Sequence, residues 1–138
     1  AIRRVTDTLD AERIAVREGL GYGAPHFPLA HHYASEGEIW MYGRGSHGRL
    51  TDSGDWRERI VLTEHRYMRE DLHLGLSLLV SVAELAGVAT PLARSFLAIG
   101  SAICGEDFVT DGRTLASLGL GGLDRVRLQT LLREGFGP

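Results

Sequence analysis

Residues 65–71, His-Arg-Tyr-Met-Arg-Glu-Asp, set an arginine five positions ahead of a carboxylate, at the entry to the most apolar helix-like run of the chain. An arginine holds a carboxylate through two parallel N–H bonds, so Arg66 suits a planar anionic substrate such as a keto acid. Asp71, just inside a helix start, is favoured in its ionised form by the helix dipole. There it can orient a histidine from elsewhere for proton transfer. Spacing alone also fits a second reading, in which Arg66 closes a loop and Glu70 and Asp71 are simply first-turn acids.

The other candidate groups carry less. Gly19-Leu20-Gly21-Tyr22-Gly23 has the look of a dinucleotide fingerprint, but it follows a helix pattern rather than a strand. Leu118-Gly119-Leu120-Gly121-Gly122 reads as a turn between two helices. His26, His31 and His32 match no metal-ligand spacing, so the expectation is a solvated or cleft-lining cluster and no metal site. His47 falls in a Gly/Ser/Arg loop, and His73, two residues after Asp71, is expected to pack or meet solvent. Cys104 lies in an apolar run and reads as buried filler. The chain has no lysine, which excludes Schiff-base chemistry and a Walker-type phosphate lysine.

These residues need elements to position them. Val5 to about Leu20 has a helical pattern, with a stop at Gly19 and Gly21. Residues 22–64 are the least regular part, with aromatics at Tyr33, Trp40, Tyr42 and Trp56. Short helices are expected near Phe27–Ala34 and Ile39–Tyr42. From Glu70 to about Ala86 the apolar residues occupy two faces, Leu72, Leu76, Leu79, Ala83 and Ala86 on one, Leu74, Leu78, Val82 and Leu85 on the other; such a helix is central. Gly87 ends it. Thr90 with Pro91 opens a further helix to about Cys104, where Gly105 follows. A polar loop over 106–113, a turn at Thr114–Leu118 and an amphipathic helix from Leu123 to Arg133 complete the chain. No strand alternation is visible, so the predicted class is all-α, a multi-helix domain around a central buried helix near residues 70–86.

With 138 residues the chain fits one domain. A net charge of −3 without a basic cluster argues against nucleic acid as a partner. One cysteine fits a reducing compartment. The start Ala-Ile-Arg-Arg-Val has no signal-peptide core, and the apolar run after Leu72 is too short to span a bilayer, so a soluble, cytoplasmic protein is expected. A start without methionine, running straight into a helical pattern, points to residues ahead of Ala1.

The ordered motifs together resemble the opine dehydrogenases of the octopine/nopaline type. The resemblance rests on His65-Arg66-Tyr67-Met68-Arg69-Glu70-Asp71, Ala83-Glu84-Leu85-Ala86-Gly87-Val88, Thr90-Pro91, Gly112-Arg113-Thr114-Leu115 and Leu118-Gly119-Leu120, with Leu9-Asp10-Ala11-Glu12-Arg13 earlier. It covers most of the chain and is weakest over residues 22–64. It implies an α-helical domain similar to the C-terminal domain of opine and 6-phosphogluconate dehydrogenase-like enzymes. In such enzymes a separate Rossmann domain holds NAD(P)H, and an amino acid is condensed reductively with a 2-keto acid such as pyruvate. By motif position Arg66 would bind the keto-acid carboxylate, and Asp71 would be the catalytic partner of a histidine. None of the six histidines of this chain occupies the family's catalytic position, ahead of the Leu9–Arg13 helix, and no Rossmann unit is present. Residues 1–138 are therefore expected to be a single substrate-binding domain, inactive when isolated. The alternatives are a non-catalytic carboxylate-binding module and a homodimerisation module.

Overall fold

The structure, a computed structural model, describes residues 1–32 and 59–136. Its elements are α1 (Ile2–Gly19), α2 (Leu29–His32), a π-wound helix α3 (Tyr67–Leu76), α4 (Ser77–Ala86), α5 (Pro91–Cys104) and α6 (Arg125–Glu134). Among the described residues there is no strand, in agreement with the all-α expectation. The helix expected at Ile39–Tyr42, the loop carrying His47, and Tyr33, Trp40, Tyr42 and Trp56 lie outside the described residues.

α3 and α4 form one continuous rod, since Leu76 and Ser77 both keep right-handed helical backbone. The rod is the central element, touching α1 and α5. Val80, Ala93, Leu97 and Phe108 make the buried core, and Leu9, Leu72, Leu76, Leu79 and Cys104 pack against it. Cys104 packs against the core but is only partly buried, where full burial was expected. Gly87 and Gly105 end α4 and α5 in left-handed conformation, φ +69° at each, where a side chain would be strained.

The π winding ends at a residue that also meets the 106–113 loop. On an α turn the Ser77 N–H would bond the His73 carbonyl, four residues back. Instead the Ser77 hydroxyl lies 2.6 Å from that carbonyl and 2.6 Å from the Phe108 carbonyl, sharing one proton between them. The Ser77 N–H reaches back five residues to the Leu72 carbonyl, which is the π pattern. His73 stacks on Phe108, ring centroids 4.5 Å apart and planes 8° apart, so it packs as expected. A Cβ on Gly112 would come within 2.2 Å of the Ser77 Oγ and 2.5 Å of both carbonyl oxygens. Only glycine lets the 106–113 loop press this closely on the rod.

α1 is held at three points. Near its centre, buried Glu12 accepts the Leu92 N–H at 2.7 Å and the Ala93 N–H at 2.9 Å, capping α5. Thr90 occupies the N-cap position but its side chain makes no capping bond; the cap is supplied instead by Glu12, 80 positions before Leu92. At its C-terminus, Arg125 donates to the Gly19 carbonyl at 2.8 Å and Gln129 to that of Leu20 at 2.6 Å. On its outer side, Asp10 accepts from the Leu29 N–H at 2.7 Å.

Glu12→Ala leaves two buried donors unmatched. It should cost about 2–3 kcal/mol, the scale of hydrogen bonds to a charged group, whereas Glu12→Gln should cost less; urea unfolding of the variants measures both. Gly112→Ala should cost about 1–3 kcal/mol by overpacking and lower the melting temperature.

Candidate functional site

The motif at 65–71 forms the start of the rod, and the structure divides its two arginines. Arg69 is built in: its Nη1 pairs with Glu106 Oε2 at 2.6 Å and its Nε donates to the Thr63 carbonyl at 2.8 Å. Met68 between them is buried. Arg66 is exposed at the N-cap, with Glu70 Oε2 at 4.0 Å and its guanidinium 5.8 Å from the Tyr67 ring centre. An exposed pair of that length contributes little, so the guanidinium is available for an incoming anion.

Asp71 is exposed, and among the described residues no hydrogen bond or ion pair engages its carboxylate. A π turn returns residues five apart to one side of the rod, where a 3.6-residue turn would set them roughly 140° apart. Arg66 and Asp71 are such a pair. Their side chains do not meet, because Arg66 leans towards Glu70, and each keeps its charge open to a partner.

Asp71 stands on the wall of an open groove of about 590 Å³ between α1 and the rod. Val16, Leu20, Leu76, Leu79 and Val82 supply its apolar surface, and Arg13, Arg17 and Tyr22 its polar edge. Arg13 is spoken for: it bonds Asp10 at 2.7 Å and the carbonyls of His26 and Phe27 at 3.0 and 3.1 Å. Arg17 lies 5.4 Å from the Tyr22 ring centre, with its Nε 3.5 Å from His26 Nδ1. Sequence reasoning missed Arg13 and Arg17, although their four-residue spacing on one helix face is a legible signal. The histidine cluster comes out mixed: His26 is half-buried against Arg17 and Glu18, while His31 is exposed.

Arg69, donating to Glu106, holds that carboxyl below its ordinary value of 4.5, with the Arg69 charge adding to the effect. A lowered carboxylate stabilises the fold above its unfolded value, and this contribution disappears as pH falls through the lowered folded value. Arg69→Gln should therefore raise the Glu106 titration midpoint towards 4.5, as followed by carboxyl NMR. An unchanged midpoint would mean the pair does not form in solution.

Residues 1–104 match the sequence profile of the NAD/NADP octopine/nopaline dehydrogenase α-helical domain. The chain belongs to that family. It is 41% identical to vitopine synthase of Allorhizobium ampelinum over 64 residues, covering 46% of this chain and 18% of the relative. It is 28% identical to an opine dehydrogenase of Arthrobacter sp. (strain 1C) over 126 residues, 89% of this chain and 34% of the relative. The chain thus spans about a third or less of the curated relatives it matches. The longer match necessarily runs past residue 104, as the motifs at 112–120 led one to expect. The glycine string closes α1: a Cβ on Gly19 would strike Val88 Cγ2 at 2.6 Å, and Gly21 turns the chain at φ +89°. Among the described residues no helix is long and apolar enough to cross a membrane.

Proposed function

We propose that this chain is the substrate-binding helical domain of an NAD(P)-dependent opine dehydrogenase-like oxidoreductase, which condenses an amino acid reductively with a 2-keto acid such as pyruvate. The observation that carries the reading is an arginine and an aspartate, one π turn apart, both left open in a member of this family. Arg66 grips the keto-acid carboxylate. Asp71 holds a histidine contributed from outside this sequence, fixing its tautomer and favouring its charged form, which suits it to protonate the carbonyl oxygen of the keto acid. A Rossmann domain, also outside this sequence, binds NAD(P)H, which supplies the reducing electrons. The setting is cytoplasmic.

The test uses the protein translated from the whole reading frame, assayed by NAD(P)H oxidation with pyruvate and a panel of amino acids. Arg66→Gln removes a two-pronged charged contact and should lower kcat/KM for the keto acid about 100-fold. Asp71→Asn keeps the shape but loses the charge; it should lower kcat about 10²–10⁴-fold with keto-acid KM nearly unchanged. Wild-type rates in both variants, or robust turnover by residues 1–138 alone, would contradict the reading. A non-catalytic carboxylate-binding module would instead lose ligand on Arg66→Gln and have no turnover to lose.

A further inference from the structure

The groove beside Asp71 has three properties that packing among the described residues does not account for. Its surface is aliphatic, formed by Val16, Leu20, Leu76, Leu79 and Val82, of which all but Val16 keep part of their surface open. Its edge carries charges of both signs: Asp71 on the rod, and on α1 Arg13, engaged by Asp10 and two carbonyls, and Arg17, whose two terminal nitrogens have no partner among the described residues. Its volume of about 590 Å³ falls in the range of small-molecule sites.

The third property is Gly75, an exposed glycine inside a helix that lines the same groove. Glycine there is destabilising relative to alanine, so a reason is needed. The backbone gives none, since Gly75 is not among the residues of positive φ. Crowding among the described residues gives none either: there a Cβ would meet only the Glu70 carbonyl oxygen, at an ordinary 3.4 Å. A side chain at this position would, however, occupy the groove. Absence of a side chain where neither fold nor packing demands it is what close approach of a ligand requires.

Resting on the reading above, we propose that this groove is the amino-acid subsite, and that it selects an aliphatic side chain of about leucine size. The α-carboxylate meets Arg17, and the amine that attacks the keto acid arrives at the Asp71 end, where the proton-transfer group is held. The side chain lies over Gly75 against Leu76, Leu79 and Val82. A charged side chain placed there would lose water without gaining a partner, so arginine and glutamate are poor substrates.

The test compares kcat/KM of the whole protein for L-leucine, L-alanine and L-arginine, with pyruvate saturating. L-Leucine should exceed L-alanine by about tenfold or more, the scale set by a few methylenes in an apolar pocket, and L-arginine should be the poorest. Gly75→Leu should cost about tenfold or more with L-leucine while L-alanine changes little. Arg17→Gln, a surface change that leaves the core alone, should raise the KM of every amino acid and leave that of pyruvate unaltered. Equal losses for all amino acids in Gly75→Leu would mean that protein, not substrate, covers the groove, and would overturn the proposal. So would a wild-type preference for L-arginine. Should no amino acid be turned over, the catalytic reading fails by itself. L-Leucine titrated into the chain would still shift the methyl NMR signals of Leu76 and Val82 if the groove binds it, and absence of any shift overturns the subsite too.

Discussion

Two backbone N–H groups at the start of α5 converge on the Glu12 carboxylate of α1, at 2.7 and 2.9 Å, in a place where the glutamate is only 8% exposed. A carboxylate withdrawn from water is costly unless fully bonded, and the first N–H groups of a helix lack partners of their own. Each solves the other's problem, and the helix dipole adds to the attraction. α1 and α5 therefore cannot shift separately. Because Arg13, Val16 and Arg17 follow Glu12 on the same helix, this one contact sets the height at which α1 presents its side of the groove to Asp71. The bonds from Arg125 and Gln129 to the last carbonyls of α1 fix the other end.

A second contact sets the opposite wall. The Ser77 hydroxyl, trapped between the His73 and Phe108 carbonyls under Gly112, ties the end of the wider winding to the loop that packs on it. That winding governs which way Asp71, Gly75 and Leu76 point. The wall of the candidate site thus depends on a loop more than 30 residues further along. Arg69, anchored on Glu106 from the same region, holds the start of the rod, and Arg66 keeps only a long, exposed pair with Glu70.

Much of this was legible in the sequence because its signals are local. Gly87 and Gly105 mark helix ends since left-handed backbone suits glycine alone, and the two apolar faces of 70–86 announced a central helix. The second face turned out to be only half covered, with Leu78 and Val82 on the open groove. What the sequence did not yield is what distance in the chain conceals. Thr90 has the right type and place for a cap, but Glu12 reaches the α5 donors first. The π winding ends where Ser77 meets Phe108, and no periodicity over 67–76 declares it. Arg66 and Arg69 are alike as letters; only the nearness of Glu106 commits one to structure and leaves the other exposed.

The central claim is that Arg66 and Asp71 form the keto-acid end of a site completed by a histidine from outside this sequence. A crystal structure of the whole protein with pyruvate and cofactor bound tests it most directly. The account predicts the pyruvate carboxylate paired with both outer nitrogens of Arg66, and an imidazole within hydrogen-bond distance, roughly 2.6–3.2 Å, of Asp71. A carboxylate seated elsewhere, or Asp71 facing solvent with no imidazole beside it, would contradict it.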